Sequence, residues 1–264
     1  MQAARKLLRR SHREESGAFL AEGPRVIRES IEAGASVQEI FVVEGGTVAD
    51  IISVAEARGI DITLVSEPVM AAISDTSSPQ GAVALIRETP VVLQDVLAGA
   101  DLVVVLDQVR DPGNAGSLVR SAVAAAASAV VFTLGSVDPF HPKTVRAASG
   151  ALFRVPIVRG VTLSTAIAAL KGVGIEVLGA ASDATMPADA VDLSGPLALV
   201  LGNEAWGLSA EDRSLLDRVV GIPMPGPAES LNVGIAGSIL LFEVVRQRRG
   251  GEESPAVYPQ QPHG

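Results

Sequence analysis

The chain has 264 residues, 48% hydrophobic and only 3% aromatic, so it is long enough for one or two domains built around an aliphatic core. It contains no cysteine, which excludes disulfide bonds, thiolate chemistry and cysteine-based metal sites. The formal net charge is −9, which argues against a uniformly basic nucleic-acid-binding surface.

No apolar run is long enough to span a membrane. The basic N-terminus is not followed by the apolar segment of a secretory signal. We therefore expect a cytoplasmic protein that does not associate with membranes.

Positive charge is concentrated in two segments despite the acidic balance. Residues 1–28 hold seven Lys or Arg against three Asp or Glu, and residues 107–160 hold six against three. Phosphate contacts require local cations rather than a basic whole protein, so both segments are candidate RNA-binding surfaces. For the N-terminal cations, a solvated helix face is an equally good explanation.

Residues 1–90 are predicted to form a basic helix or arm followed by a small α/β domain. Short β-like runs alternate with helical stretches at residues 18–21, 39–43, 62–65 and 82–86. Pro24 suits the first turn of a helix that Gly34 ends. Residues 89–99 are predicted to be a linker with a short helical turn.

Residues 100–249 are predicted to repeat a β/α pattern. Strands are expected at 102–106, 129–134, 154–157, 175–181, 197–201 and 219–222. Helices are expected at 115–126, 142–148, 162–171, 210–216 and 231–248. Apolar strands without alternation are typical of a parallel sheet covered on both faces. The remaining residues, 250–264, are expected to be a disordered tail.

Polar loops follow three of the predicted strands. Asn114 and Arg120 follow the first strand of this region, Glu204 follows a later one, and Ser230 with Asn232 follows the last. Since the carboxyl ends of parallel strands meet at one edge of a sheet, these side chains are expected to converge on one site.

The three loops carry motifs in a characteristic order. The first is N-x-G-x-x-x-x-R at Asn114, Gly116 and Arg120; the second is LGNEAWG at 201–207; the third is PMPGPAESLNV at 223–233. In this order and spacing, the chain resembles the SpoU family of RNA 2′-O-ribose methyltransferases, within the SPOUT superfamily. The resemblance covers nearly the whole chain, including SGAFLAEGP at 16–24 and RAASGALFRVP at 146–156, and one departure is Gly234, where many members carry serine.

The resemblance implies a specific architecture. The fold class is α/β: a C-terminal parallel-sheet α/β domain tied into a trefoil knot, preceded by a small α/β RNA-binding domain. It also implies a homodimer formed through the C-terminal domain. Gly234, Ala236, Gly237 and Ser238 supply small residues for close helix packing there, although an ordinary buried helix within one chain explains them as well.

The implied reaction is methyl transfer from S-adenosylmethionine to a ribose 2′-hydroxyl. The resemblance assigns cofactor contacts to Gly202, Ile222, Leu231, Leu178 and Gly179, and catalytic roles to Arg120, Asn114, Glu204, Ser230 and Asn232. Arg120 is either the base for the hydroxyl or an electrostatic clamp on phosphate and developing alkoxide, and both remain open.

Some of these residues also have purely structural explanations. Asn114 and Ser230 are suited to cap their helices, and Glu204 is suited to accept hydrogen bonds within a loop. For Trp206, the only tryptophan, a partly buried core position is favoured over stacking on a base.

The predicted partner is RNA, with ribosomal RNA favoured over transfer RNA because of the two-domain layout. Recognition is expected to rely on shape and backbone, since aromatic residues are few. The residues expected to contact phosphates are Arg5, Lys6, Arg9, Arg10, Arg13, Arg25, Lys143, Arg146 and Arg154. Transfer RNA as substrate, a catalytically silent RNA-binding protein of this fold, and methylation of a base nitrogen are the alternatives.

No metal site is predicted. The three histidines, His12, His141 and His263, are far apart in the sequence and lack metal-ligand spacing.

Overall fold

The computed structural model describes residues 2–45 and 49–250. Two β-sheets organise these residues, one formed by the first third of the chain and one by the rest. The disordered tail predicted at 250–264 lies, beyond its first residue, outside the described residues.

The first sheet has four strands in the order β1-β4-β2-β3. The strands are β1 (Ala18–Glu22), β2 (Ser36–Val43), β3 (Asp61–Val65) and β4 (Ala82–Arg87). Both pairings of β4 are antiparallel, whereas β2 and β3 run parallel. The accompanying helices are α1 (Gln2–Lys6), α2 (Arg10–Ser16), α3 (Pro24–Glu32), α4 (Ala49–Ala57) and α5 (Glu67–Ile73).

The basic N-terminal segment forms two helices, α1 and α2, rather than one. The chain is extended at Arg9, where ψ is 134°, and the Nη1 of Arg13 donates to the carbonyl oxygen of Leu7 at 2.7 Å. This side-chain bond satisfies a carbonyl that a continuous helix would have bonded internally.

The second sheet has seven strands, all parallel, in the order β7-β6-β5-β10-β8-β11-β9. Its strands are β5 (Leu102–Leu106), β6 (Ala129–Thr133), β7 (Ile157–Val161), β8 (Glu176–Ala180), β9 (Met186–Pro187), β10 (Leu197–Leu201) and β11 (Arg218–Gly221). Strands β5, β6 and β10 are buried along their whole length, as expected for a sheet covered on both faces.

Six helices accompany this sheet. They are α6 (Leu93–Leu97) in the connection between the two sheets, α7 (Pro112–Ala124), α8 (Pro142–Ala148), α9 (Leu163–Gly172), α10 (Ala210–Leu215) and α11 (Val233–Arg249). The predicted α/β class with a parallel C-terminal sheet is confirmed. The trefoil knot stays a prediction from the family resemblance.

Two predicted boundaries in this region are wrong for local reasons. The strand expected at 154–157 begins only at Ile157, because residues 151–153 form a 3₁₀ turn that ends at Arg154. Helix α7 begins at Pro112, three residues earlier than expected, because Asp111 caps it and proline is well suited to the first helical position.

The two sheets are joined by a continuous interface. Phe19 of β1 packs 4.6 Å from Phe140 between ring centroids, and the cores on both sides belong to one buried apolar cluster. Arg13 of α2 forms an ion pair with Asp138 at 2.7 Å, and both side chains are almost completely buried. The first sheet is therefore held directly against the second.

Candidate active site

The candidate site lies at the carboxyl edge of the seven-stranded sheet. A cavity of about 420 Å³ opens there between the segments that follow β8, β10 and β11 and the start of α11. Its volume is within the range of small-molecule pockets in proteins, about 300–1,000 Å³. The strands β10 and β8 are neighbours in the sheet, so their loops meet at this edge.

Three of the predicted cofactor residues line this cavity: Gly202, Ile222 and Leu231. At Gly202 a Cβ atom would lie 2.5 Å from the carbonyl carbon of Gly207 and 2.8 Å from the Leu208 nitrogen. These are backbone atoms of the same loop, so any larger residue would force the loop open. The cavity wall at this point consists of main chain.

The other two predicted cofactor residues, Leu178 and Gly179, do not line the cavity. Both lie inside β8, where Leu178 is buried in the core and a Cβ at Gly179 would meet the Leu216 and Leu208 side chains. The lining of this segment starts at Ala180 and continues to Asp183. The strand reaches the cavity only at its carboxyl end, and the predicted cofactor contact of Leu178 and Gly179 stays a prediction.

The cavity suits S-adenosylmethionine in size and chemistry. Ile222, Met224 and Leu231 supply apolar contact for a nucleoside, the loop around Gly202 supplies backbone polar groups, and Asp183 supplies a carboxylate. These residues would hold the cofactor if it binds as it does in the family.

A hydrogen-bonded cluster beside the cavity joins Asn114 of α7, Glu204 of the loop after β10 and Asn232, the residue before α11. The Asn232 Nδ2 donates to the Asn114 Oδ1 at 2.9 Å, and the Asn114 Nδ2 donates to the Glu204 Oε1 at 3.1 Å. These bonds also fix the orientation of both amide groups. Three residues that are far apart in the sequence are thus brought together as expected, while their catalytic role stays a prediction.

Glu204 is the anchor of this cluster. Its carboxylate also accepts hydrogen bonds from the backbone nitrogens of Arg110 at 3.1 Å and Asp111 at 2.9 Å. Partial burial opposes ionisation, but the hydrogen bonds from Arg110, Asp111 and Asn114 outweigh it and lower the pKa of Glu204 below its ordinary value. The carboxylate is therefore charged at neutral pH and fixes the first loop to the second.

The helix caps differ from the sequence prediction. Asp111, not Asn114, caps α7, and its side chain accepts from the Asn114 backbone nitrogen at 2.8 Å. Asn232, not Ser230, caps α11 by accepting from the nitrogens of Gly234 and Ile235. The side chains of Asn114 and Ser230 therefore cap neither helix, and Ser230 lines the cavity.

Arg120 lies on α7, exposed and six residues beyond Asn114. Within the described part of the chain it makes no hydrogen bond or ion pair. Its guanidinium is therefore available to a ligand, and its predicted catalytic role stays a prediction.

The structure contradicts the favoured reading of Trp206. Its side chain is 53% exposed at the cavity wall, and the guanidinium carbon of Arg110 lies 5.1 Å from the ring centroid. Arg110 was not among the residues predicted to form the site. No local pattern indicates a contact between residues from two separate loops.

The predicted phosphate-binding residues divide into four groups. The predicted phosphate contact of Arg13 is wrong. Its side chain is 3% exposed and paired with Asp138, so it is not accessible to a phosphate. Arg154 is bound to Glu29 at 2.8 Å, and Arg146 lies 3.9 Å from Glu22, so carboxylates already compete for both. Arg10 and Lys143 are exposed but also have carboxylate neighbours, Glu14 at 2.7 Å and Asp111 at 3.9 Å. The remaining residues are exposed: Arg5, Lys6, Arg9 and Arg25.

In the described ranges, 2–45 and 49–250, no group of three His, Cys, Asp or Glu residues is placed to hold a metal ion. No helix in these ranges combines the length and apolar character needed to cross a membrane.

Comparisons with known proteins agree with this site. The model of the SpoU rRNA Methylase family matches residues 101–242, and a model of an MRM3-like substrate binding domain matches residues 1–84. The 23S rRNA (guanosine(2553)-2′-O)-methyltransferase RlmP of Bacillus subtilis is 33% identical over 91% of this chain and 93% of its own length. The 23S rRNA (guanosine-2′-O-)-methyltransferase RlmB of Xanthomonas axonopodis is 34% identical over 86% of this chain and 96% of its own.

Solved structures show the same relationship. The SpoU methyltransferase AviRb of Streptomyces viridochromogenes has a TM-score of 0.85 at 29% identity, covering 95% of this chain and 97% of its own. The AdoMet-bound rRNA methyltransferase of Sinorhizobium meliloti has a TM-score of 0.83 at 31% identity, and the match covers 96% of this chain and 95% of that protein.

The chain therefore belongs to the SpoU rRNA methylase family. The predicted class is confirmed: it is an S-adenosylmethionine-dependent RNA ribose 2′-O-methyltransferase.

Proposed function

We propose that this enzyme methylates the 2′-hydroxyl of a guanosine in 23S ribosomal RNA. The relatives named above act on guanosines of that RNA and match most of this chain. The observation that carries the proposal is the Asn232–Asn114–Glu204 cluster beside the 420 Å³ cavity, since it places polar side chains at one wall of a cofactor-sized site.

The bound cofactor supplies an electrophilic methyl group, so the protein has to align the hydroxyl and assist its loss of a proton. Alignment in a fixed site contributes several kcal/mol to rate enhancement. We assign that positioning to Asn114, Asn232 and Ser230, with Glu204 holding the first loop in place.

Arg120 acts in this proposal as an electrostatic clamp. An arginine side chain stays protonated in neutral water, and no described carboxylate or other acceptor contacts Arg120. A charged guanidinium stabilises a developing alkoxide or an adjacent phosphate without accepting a proton. The unpaired, charged guanidinium supports our choice of the clamp over the base.

In this proposal the exposed cations and the domain that contains the first sheet bind the RNA. Arg5, Lys6, Arg9, Arg10 and Arg25 lie in the segment matched by the substrate-binding-domain model, and Lys143 lies in the catalytic half. We propose residues 1–90 as the RNA-binding domain and 100–249 as the methyltransferase domain, working in the cytoplasm, where ribosomal RNA is modified.

We also propose that the enzyme is a homodimer through α11. Ile235, Ile239 and Phe242 are exposed at spacings of four and three residues, so they form an apolar stripe on the outer face of the helix. The small residues that were expected to pack against a second copy instead face the interior of their own chain. A Cβ at Gly237, for example, would lie 2.4 Å from Leu118. A second copy covering the stripe would lie next to Asn232, at the start of the same helix.

Transfer of labelled methyl from S-adenosylmethionine to unmodified 23S rRNA, followed by nucleoside analysis, tests the function. We expect 2′-O-methylguanosine from the wild type and none from Arg120→Ala, with donor affinity retained. Arg58→Ala is a matched control, since this exposed arginine lies in the acidic part of the chain. Product in transfer RNA alone, a base-methylated product, or absence of both donor binding and transfer would each contradict the proposal.

A further inference from the structure

An indole and a guanidinium are held together at the rim of the candidate site. Trp206 belongs to the loop after β10 and Arg110 to the loop after β5, and the guanidinium lies over the ring at 5.1 Å. Both side chains are exposed, and Trp206 also lines the cavity. We call this pair the Arg110–Trp206 platform.

The backbone on both sides of the platform is fixed. Residues Asn203 and Gly207 exchange two backbone hydrogen bonds, of 3.2 and 2.9 Å, which close the loop around Trp206. The Asn203 side chain bonds the Gln108 carbonyl oxygen at 2.8 Å, and the Arg110 nitrogen donates to Glu204. The exposed indole is therefore presented by a preorganised loop rather than by a flexible one.

The platform adjoins the groups proposed to act on the substrate. Trp206 is two residues beyond Glu204, and Arg110 immediately precedes Asp111, the cap of the helix that carries Asn114 and Arg120. The platform therefore belongs to the same two segments that hold Asn114 in place.

The chemistry of the pair matches a nucleotide. Every base has an aromatic face that stacks on an indole, and such stacking contributes about 1–3 kcal/mol per base. The guanidinium attracts a phosphate of the same nucleotide or of its neighbour.

We infer that the Arg110–Trp206 platform stacks a nucleobase of the RNA at the target nucleotide or its direct neighbour. The inference rests on the proposed function, because it takes RNA as the substrate of this site. It makes Trp206 and Arg110 positioning residues that raise the affinity for RNA without contacting the reacting atoms.

Trp206 is the only tryptophan in the chain, so intrinsic fluorescence reports on it alone. A short single-stranded RNA and a 23S rRNA transcript are titrated separately into the wild-type enzyme, and S-adenosylmethionine is titrated in a third experiment. We expect both RNAs to quench the emission strongly, and the cofactor alone to change it by a smaller amount because Trp206 also lines the cavity. Quenching by the cofactor alone, with none by RNA, would overturn the inference and assign the ring to the donor cavity.

Kinetics with variants give the second test. We expect Trp206→Ala to raise the KM for RNA about 5- to 150-fold, the equivalent of one stacked base, and to change the Kd for S-adenosylmethionine by a clearly smaller factor. Trp206→Phe keeps most of the affinity, and Arg110→Ala raises the KM to a smaller degree. The control is Val173→Ala, which removes an apolar side chain of similar exposure, 54%, at the end of α9 and outside the proposed RNA-binding domain.

An unchanged KM and RNA affinity in Trp206→Ala, beside a fully active wild type, would overturn the inference and leave the proposed function intact. An inactive wild type would instead contradict the proposed function, while the fluorescence titration still shows whether RNA stacks on Trp206.

Discussion

At the residue scale, Glu204 connects two loops whose sequences are far apart. Its carboxylate accepts from two backbone nitrogens of the first loop and from the Asn114 side chain. A neutral amide would offer one acceptor oxygen and turn a donor toward those N–H groups. The orientation of Asn114 and, through it, of Asn232 therefore depends on a charged side chain at this position.

The lowered pKa of Glu204 predicts a pH-dependent contribution to stability. Because the pKa is lower in the folded than in the unfolded chain, the contribution is complete above the unfolded value, about 4.3, and is lost as the pH falls through the folded value. Urea unfolding should show the wild type more stable than Glu204→Gln at neutral pH, with the difference shrinking in acid.

Glu211→Gln is the control for this measurement, because the exposed Glu211 side chain accepts no hydrogen bond among the described residues. A wild-type advantage over Glu204→Gln that stays constant with pH would show that the charge of Glu204 does not stabilise the loops.

At the scale of elements, the site depends on how closely α7 packs against α8 and α11. Gly116 is the point of closest approach: a Cβ there would lie 2.5 Å from Ala147 and 2.8 Å from both the Ala148 nitrogen and the Thr144 carbonyl oxygen. On the other side, Ser121 and Ser238 share a hydrogen bond of 2.7 Å between α7 and α11. The helix that carries Asn114 and Arg120 is thus fixed from two sides.

Gly116→Ala should lower the free energy of unfolding by about 1–3 kcal/mol, because the added methyl group meets backbone atoms that cannot rotate away. Gly172→Ala is a matched control at the last residue of α9, where a Cβ would meet nothing within 4 Å. That variant should gain about 0.4–1 kcal/mol from reduced chain entropy in the unfolded state. Equal effects in the two variants would show that the helix packing at Gly116 tolerates a methyl group.

At the scale of the whole molecule, buried charges hold the first sheet to the second. Arg13 of α2 and Asp138, which follows β6, are paired at 2.7 Å, and Asp138 also accepts from the Phe140 nitrogen at 3.0 Å. Farther along the same interface, the Arg159 Nε donates to Glu88 at 2.7 Å.

Arg13→Ala should lower the free energy of unfolding by about 3–5 kcal/mol, since it leaves Asp138 charged and buried without its partner. Chemical denaturation measures this loss. Arg9→Ala, the removal of an exposed arginine from the same segment, should change stability by less than about 0.5 kcal/mol. If the two variants unfold alike, the ion pair does not hold the two parts together.

The proposed dimer is a prediction at the same scale. Ile239→Asp should convert the enzyme to a monomer, because a carboxylate at the centre of the apolar stripe would be buried without a partner. Sedimentation velocity measures the mass of the particle. Val173→Asp, at an equally exposed position after α9, should leave the mass unchanged. A wild-type monomer, or a variant that remains a dimer, would contradict the assignment.

Local sequence patterns were sufficient to predict most of the strands. They also predicted that Asn114, Glu204 and Asn232 lie close together. Apolar runs such as Leu102–Leu106 and Leu197–Leu201 identify buried strands, and parallel strands necessarily bring their carboxyl ends to one edge. The family followed from three short motifs in order, whose residues are adjacent enough in the chain to be seen without a structure.

The sequence by itself determined the α/β class, the edge at which the site forms and the family of the enzyme, because these depend on hydrophobic periodicity and on contiguous motifs. Only the tertiary structure decided that Arg13 is buried, that Asp111 and Asn232 are the caps, and that Trp206 is exposed under Arg110. The burial of Arg13 and the pairing of Trp206 with Arg110 depend on contacts between segments that are distant in the chain. The caps depend on the exact residue at which a helix starts, and hydrophobic periodicity does not specify that residue.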